Sequence, residues 1–198
     1  MSFDPSKRVV RFPAWVDFEI FSKVQASRSD EKDFKILFIG SVTDRKKPHL
    51  IVEAINKIKN KDIKLYVVGP TPNENYLSQL KEIVHNYDLE DQVLVTGSVD
   101  RKSVMDHYAD TNLMILPSVS EGLARVIFES QATACPVLVT DAPGMGDIVI
   151  DGQTGYIFES DNLESLTNKI QEIINNYNDA VHVGNNAKDF ILSNYSAD

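Results

Sequence analysis

The sequence predicts a doubly wound α/β fold, in which a mostly parallel sheet carries helices on both faces. Two observations support this prediction. First, short apolar runs, several of them closed by glycine, alternate with segments whose apolar residues recur at helical spacing. Such alternation is typical of βαβ units and hence of parallel strands. Second, glycines, short polar residues and cations are concentrated in the segments that follow the apolar runs, where parallel sheets bind ligands.

The regular pattern begins at Phe34. Residues before it follow no single period, so we predict an interdomain linker at 1–33 and the α/β domain at 34–198. Apolar runs rich in Val, Ile and Leu predict strands, and these lie at 34–40, 63–69, 92–97, 112–118 and 136–140.

Helices are predicted between these strands because the apolar residues there return every three or four positions. They lie at 48–60, 76–87, 101–109 and 124–134. The segment "DGQTGYIF" (151–158) predicts a turn that leads into a last short strand. Two closing helices are predicted at 162–177 and 187–195.

Composition excludes several classes of protein. A chain of 198 residues holds one core, or one domain with a linker. Its net charge of −9 offers no basic surface for a phosphate backbone, so nucleic acid is not an expected partner. The sequence has neither a run long enough to span a membrane nor the apolar stretch of a signal peptide. We therefore expect a cytoplasmic protein. Cys135, the single cysteine, is expected to be a small buried residue.

The strand–helix segments contain none of the common cofactor or metal motifs. The first of them, "GSVTDRKKP" (40–48), is not the G-x-G-x-x-G of a dinucleotide site, and no G-x-x-x-x-G-K-[ST] phosphate loop occurs. No Asp-x-Asp motif closes a strand, and the histidines have no ligand spacing. Neither a metal nor a cofactor is expected.

Positive charge and helix starts remain as candidate ligand groups. Arg45, Lys46 and Lys47 follow the first predicted strand. Free N–H groups at a helix N-terminus bind anions, and glycine lets an anion approach the backbone closely. Glycines of this kind lie where two helices are predicted to begin, at Gly122 followed by Leu123 and at Gly144 with Gly146. A basic triplet facing such a terminus could hold a diphosphate without a metal.

Two carboxylates complete the candidate site. Glu121 precedes the helix predicted at 124–134, and Glu129 lies inside it. Eight residues of helix span about 12 Å. A nucleotide sugar has hydroxyls at its hexose end and at its ribose end, separated by a comparable length, and carboxylates accept hydrogen bonds from hydroxyls well. The spacing therefore fits a long, anionic ligand, with Glu121 at the sugar and Glu129 at the ribose.

Three stretches together resemble a known family. They are "VVRFPAWVDFEIF" (9–21), "FIGSVTDRKKPHLIVEA" (38–54) and "YADTNLMILPSVSEGLARVIFESQATACPVLVTDAPGMGDIV" (108–149). Over nearly its whole length the chain is similar to the C-terminal, donor-binding domain of retaining glycosyltransferases of the GT-B fold, the large family four that carries E-x7-E. The resemblance implies a Rossmann-like domain that forms one half of a GT-B fold.

The resemblance also implies roles for individual residues. Glu121 would be catalytic and contact the transferred sugar, Glu129 would bind the ribose, and Lys46 with Arg45 would bind the diphosphate. The remaining nucleotide-sugar-binding positions that the resemblance implies are Gly40, Ser41, Gly97, Ser98, Gly122, Leu123 and Ala124, with Gly97 and Ser98 near the base.

Several positions depart from the family pattern. Ser41 stands where the family often has Arg, and Lys47 where it usually has Gly. The other departures are Ala124 for Gly or Pro, Ala134 for Gly and Asp147 for Glu. They concern the details of the phosphate and sugar contacts.

The resemblance implies an enzyme that transfers a hexose-type sugar from a UDP- or GDP-type donor to a hydroxyl acceptor, in polysaccharide or glycoconjugate biosynthesis, without a metal. The N-terminal acceptor-binding domain and the final crossover helix of such enzymes are not in the sequence, so we expect this chain alone to be inactive. Any association with a membrane surface would come through that other domain. Alternatives are a nucleotide-sugar epimerase or a phosphorylase of the same fold, and a non-catalytic nucleotide-binding module.

Overall fold

The computed structural model of the chain describes residues 16–28, 33–122, 124–145 and 148–195. These residues form a six-stranded sheet in the order β3-β2-β1-β4-β5-β6, and every pairing between neighbouring strands is parallel. The strands are β1 Phe34–Ile39, β2 Ile63–Val68, β3 Val93–Gly97, β4 Leu113–Leu116, β5 Val137–Thr140 and β6 Tyr156–Phe158. The predicted doubly wound α/β fold is confirmed.

Helices connect the strands as the apolar spacing predicts. They are α1 Phe18–Ser22, α2 Pro48–Ile58, α3 Glu74–Asn86, α4 Arg101–Asp110, α5 Arg125–Ala132, α6 Leu163–Asn175 and α7 Tyr177–Tyr195. Short polar side chains before four of them accept a hydrogen bond from the first turn and so define where the helix starts; one is Asp17, before α1. The other caps are Asn73 for α3, Asp100 for α4 and Asn162 for α6.

The central strands are buried on both faces, which explains their nearly continuous apolar sequences. All of β4 and β5 is buried, and in β1 every residue except Lys35 is. Helix α2 packs against α3 and α6, while α5 packs against α1 and α7. Cys135 is fully buried, as predicted.

The last helix is longer than the sequence pattern predicts. It begins at Tyr177 instead of at residue 187. The added turns contain Gly184, where a Cβ would lie 2.4 Å from the carbonyl oxygen of Ala134. The glycine therefore permits close packing of α7 on the end of α5, and this tertiary contact outweighs the weak helical propensity of the segment.

The described part of the predicted linker packs on the domain. Helix α1 contributes Phe18, whose ring contacts Phe128 edge-on, and Phe21, whose ring contacts Tyr108 in the same way. Arg28 donates to the carbonyl oxygens of Thr133 and Ala134 beyond the end of α5.

The strand order puts two connections side by side. From β1 the chain winds outward through β2 to β3, and from β4 it winds the other way through β5 to β6. The segments that leave the adjacent strands β1 and β4 therefore diverge and leave a crevice between them, where doubly wound sheets bind ligands. Among the described helices, none combines the length and apolar character needed to cross a bilayer.

Candidate nucleotide-sugar site

The basic segment after β1 is bonded directly to the segment after β4. The amide of Val119 donates to the carbonyl oxygen of Arg45 at 3.1 Å. In return, the Arg45 guanidinium donates to the carbonyl oxygen of Ser120 at 2.5 Å. These contacts join residues that are far apart in the chain and place the cations beside Glu121.

Glu121 forms an ion triad with two of these cations. Its Oε1 lies 2.9 Å from Nζ of Lys46 and 3.3 Å from a guanidinium nitrogen of Arg45. The side chains of Glu121 and Lys46 are 8% and 12% exposed, whereas that of Arg45 is half exposed. Oε1 accepts no hydrogen bond of good geometry within the described part of the chain. Oε1 is itself buried beneath the two cations, so the three groups are held by charge attraction.

Two glycines permit this packing. Gly40 follows β1 directly and has a φ of +146°. A Cβ there would lie 3.2 Å from the end of the Lys46 side chain. Gly144 has a φ of +92°, and a Cβ there would lie 2.1 Å from the carbonyl oxygen of Glu121. The Glu121 amide donates to the carbonyl oxygen of Pro143 at 3.3 Å. The segment after β5 therefore holds the backbone of Glu121 in place.

Gly144 does not begin a helix, contrary to the sequence prediction. The described residues 141–145 form turns, while Gly146 and Asp147 lie outside the described residues. The amide of Met145 donates to the carbonyl oxygen of Ala142, and the amide of Ile148 donates to that of Met145. Within the described residues, the role of Gly144 is to allow close approach to the backbone of Glu121.

Lys47 is separate from the triad. It adopts a left-handed conformation at the start of α2 and forms an ion pair with Asp161, before α6. The basic triplet of the sequence is therefore divided, because Asp161 binds Lys47 while Lys46 and Arg45 contact Glu121.

Helix α5 begins beside Glu121. Its N-cap is Ala124, which is buried and has no side chain able to cap the first turn. The first N–H groups of α5 consequently lack a side-chain partner, as at other helix termini that bind anions. Gly122 is exposed and a Cβ there would meet nothing within 4 Å. Leu123 lies outside the described residues.

Glu129 lies inside α5 in a different environment. It is buried, and its Oε2 accepts a hydrogen bond from the hydroxyl of Tyr108 at 3.2 Å. Arg125, one turn earlier, lies 3.6 Å from Oε1. Burial raises the pKa of the Glu129 carboxyl, an effect opposed by the Tyr108 hydrogen bond and by the charges of Arg125 and Arg101.

Glu129 opens onto a cavity of about 560 Å³, a volume within the range of small-molecule sites. Its walls are apolar, and two arginines and two carboxylates lie among them. An ion pair of 2.9 Å between Arg101 and Asp17 forms part of its rim. The lining residues are Asp17, Phe21, Ile39, Val99, Arg101, Val104, Arg125, Val126 and Glu129.

The cavity begins where the basic segment leaves β1, because Ile39 lines it and Gly40 and Ser41 follow. Gly97 and Ser98, predicted near a base, lie at the end of β3, but Val99 and Arg101 line the cavity in their place. Sequence reasoning missed both of these residues, and Arg125 as well. The signal that could have found the arginines is a cation at the start of a helix in an acidic chain.

The histidines lie outside this site. His49 shares a 2.6 Å hydrogen bond with the Tyr76 hydroxyl, and burial lowers its pKa. His85 pairs with Glu90, and the ring of His107 lies against that of Tyr66. In the described ranges, no group of three or more His, Cys, Asp or Glu side chains is arranged to hold a metal ion.

Comparison with known proteins gives a consistent result. Residues 19–190 match the family described as Glycosyl transferases group 1. The chain is 26% identical over 191 residues to the capsular polysaccharide biosynthesis glycosyltransferase CapM of Staphylococcus aureus, a match covering 92% of this chain and 49% of CapM. The chain spans about half the length of the curated relatives it matches.

Solved structures share the fold. HepE of Anabaena, crystallised with UDP and glucose, superposes with a TM-score of 0.79 at 19% identity, over 84% of this chain and 46% of HepE. The C-terminal domain of a group 1 glycosyl transferase, LpcC of Francisella tularensis, superposes with a TM-score of 0.77 at 20% identity. That match covers 94% of this chain and 96% of the LpcC domain.

Proposed function

The chain belongs to the group 1 glycosyl transferases, and from this premise we propose that it is the donor-binding domain of a retaining enzyme of the E-x7-E type. It binds a UDP- or GDP-linked sugar, and the enzyme transfers a hexose-type sugar to a hydroxyl acceptor. One observation carries the proposal. A basic pair contacts one glutamate in the loop before α5, and the second glutamate lies within α5 and lines a ligand-sized cavity.

The diphosphate binds to Lys46, Arg45 and the start of α5. In the structure these two cations are neutralised by Glu121. An incoming diphosphate supplies negative charge to the same cations, and charge-assisted hydrogen bonds to phosphate are among the stronger ones in proteins. Both cations also stabilise the charge that develops on the diphosphate when the sugar leaves, and Lys46 does so from a largely buried position.

Glu121 acts at the sugar. Its carboxylate lies beside the proposed diphosphate position, and it can accept from a sugar hydroxyl once the phosphates take over Lys46 and Arg45. This contact orients the anomeric carbon, and correct orientation is a large part of catalysis of group transfer. We assign Glu121 as the catalytic residue of this domain on these grounds.

Glu129 binds the ribose. An ionised carboxylate accepts hydrogen bonds from two neighbouring hydroxyls, and the apolar cavity walls at Ile39, Val99 and Val126 fit the flat faces of a base. The proposal requires neither cofactor nor metal, since Arg45 and Lys46 neutralise the diphosphate. We further propose cytoplasmic action, in polysaccharide or glycoconjugate synthesis, together with an acceptor-binding domain; donor binding without transfer is expected of this chain alone.

The test is calorimetric titration of the chain with UDP, GDP and ADP, followed by the corresponding sugar nucleotides. Binding of one diphosphate, lost in Lys46→Ala and retained in the matched variant Lys47→Ala, would support the proposal. Binding of none of the three diphosphates would overturn it. Sugar transfer to an added acceptor by the isolated chain would overturn the assignment of transfer to a two-domain enzyme.

A further inference from the structure

Tyr108 is a fully buried tyrosine whose hydroxyl reaches the candidate ribose-binding carboxylate. It lies in α4, and its hydroxyl is 3.2 Å from Oε2 of Glu129 and 3.3 Å from the carbonyl oxygen of Val126. The ring is held edge-on against Phe21, with 5.9 Å between the ring centroids. Packing therefore leaves the hydroxyl little freedom to move away from Glu129.

The contact is directional. A phenol has one proton, and an ionised carboxylate is a stronger acceptor than a peptide carbonyl, so the hydroxyl donates mainly to Glu129. The Arg125 guanidinium lies 3.6 Å from the other carboxylate oxygen of Glu129, Oε1. With one oxygen held by Tyr108 and the other near Arg125, the carboxylate cannot rotate freely within the cavity.

We propose that Tyr108 is a positioning residue for the nucleotide ribose, acting through the Glu129 carboxylate that its hydroxyl holds. This inference rests on the proposed function, because it assumes that Glu129 accepts the ribose hydroxyls. Tyr108 does not touch the nucleotide. It fixes the orientation of the carboxylate and favours its charged form.

The charge effect can be separated from a purely structural role. The charged and titratable groups facing Glu129 are Arg125 on its own helix, and Arg101 and Tyr108 on α4. Burial raises the pKa of Glu129, and the Tyr108 hydrogen bond acts in the opposite direction. Without the hydroxyl, that pKa rises further, so nucleotide binding should be lost at a higher pH as the solution is acidified.

The experiment measures binding of UDP and GDP to the wild-type chain and to Tyr108→Phe across a range of pH. We expect about tenfold weaker binding in Tyr108→Phe at neutral pH, and an acid limb displaced to higher pH. Tyr195→Phe is the matched control. It removes a hydroxyl from a ring that packs on Phe128 of α5, the helix that contains Glu129. This variant should leave both the affinity at neutral pH and the position of the acid limb unchanged.

Two further measurements isolate the route through Glu129. In a Glu129→Gln background, Tyr108→Phe should cause no displacement of the pH profile, because the amide does not titrate. The 2′,3′-dideoxy forms of UDP and GDP, which lack the ribose hydroxyls, should bind equally to the wild-type chain and to Tyr108→Phe. Equal losses with the dideoxy forms would overturn the inference.

A second substitution keeps the test decisive if Tyr108→Phe fails to fold. Incorporation of 3-fluorotyrosine at position 108 retains the hydroxyl, and its more acidic proton should strengthen the hydrogen bond and move the acid limb to lower pH. An unchanged pH profile in a folded variant would overturn the inference while leaving the proposed function intact. Absence of UDP and GDP binding by the wild-type chain would overturn the proposed function, and this inference with it.

Discussion

Glu121 and Glu129 are the same residue type, one in the loop before α5 and one within that helix, yet their surroundings differ in kind. Glu121 lies in a loop and contacts the cations Lys46 and Arg45, which come from the segment after another strand. Glu129 lies within α5, and a neutral hydroxyl, that of Tyr108, is its hydrogen-bond donor. Burial raises the pKa of Glu129.

The difference supports the proposal that the two carboxylates have separate tasks. The charge of Glu121 is balanced by two cations, Lys46 and Arg45, which could instead bind a ligand anion. At Glu129, desolvation of the charge is only partly compensated, and a hydroxyl-bearing ligand would improve its solvation. The environment, rather than the residue type, determines what each glutamate can bind.

The largest expected effect comes from removing Lys46, the less exposed of the two cations that contact Glu121. Lys46→Ala should weaken binding of a nucleoside diphosphate by about 1.5–3 kcal/mol, or one to two decades in affinity by approximate conversion. The variant also leaves only Arg45 to balance the charge of the nearly buried Glu121, so the carboxylate repels an incoming phosphate more strongly. Isothermal titration calorimetry measures the loss.

Lys47→Ala is the control for that experiment. Lys47 pairs with Asp161 and not with Glu121, so its loss should change affinity little. Unchanged binding in Lys46→Ala together with abolished binding in Lys47→Ala would move the diphosphate contact to the neighbouring residue and remove the basis for the comparison.

The next prediction tests whether the position of the Glu121 backbone depends on the glycine at 144. Gly144→Ala places a Cβ against the Glu121 carbonyl oxygen at a φ of +92°, and we expect destabilisation by about 2 kcal/mol. Urea unfolding measures it. Gly122→Ala, where a Cβ meets nothing within 4 Å, should stay within about 0.5 kcal/mol of wild type. Equal stability of both variants would show that Gly144 does not constrain Glu121.

The third prediction separates the two carboxylates by ligand. Glu129→Gln should weaken the bare nucleoside diphosphate and its sugar by a similar amount, about 1–2 kcal/mol, since both carry the ribose. Glu121→Gln should weaken only the sugar-bearing donor. The bare diphosphate should bind at least as tightly as to wild type, because the amide no longer competes for Lys46 and Arg45.

Calorimetry of both variants with both ligands decides this prediction. Equal losses for the two ligands in Glu121→Gln would place the sugar elsewhere. If neither variant changes the affinity of either ligand, then both carboxylates are merely structural and the contrast between them has no functional meaning.

The smallest effect is a pH dependence of stability at Glu129. A carboxyl whose pKa is higher in the folded than in the unfolded chain stabilises the fold when protonated, and this contribution is lost as pH rises through the folded-state value. Because burial raises the pKa of Glu129, Glu129→Gln should gain stability relative to wild type between about pH 5 and about pH 8. Paired urea titrations at both pH values measure the difference, and a constant difference would show that Glu129 keeps an ordinary pKa.

The sequence by itself determined the strands and most of the helices. Apolar runs such as 34–39 and 63–68 can be buried only between other layers, and Asn73, Asp100 and Asn162 mark helix starts by local hydrogen bonding. The order of these elements predicted the ligand edge, and hence the general location of the basic pair and of both glutamates. These features depend on neighbours in the chain, which is why a linear pattern reveals them.

Only the tertiary structure decided which of these groups meet. The contact of Lys46 with Glu121, the pairing of Lys47 with Asp161 and the hydroxyl of Tyr108 on Glu129 each join distant parts of the chain. The extension of α7 back to Tyr177 likewise depends on packing against Ala134. Such contacts depend on how the helices and the sheet pack and on which side chains remain exposed. Neither the apolar periodicity of the sequence nor the propensity of its residues contains that information.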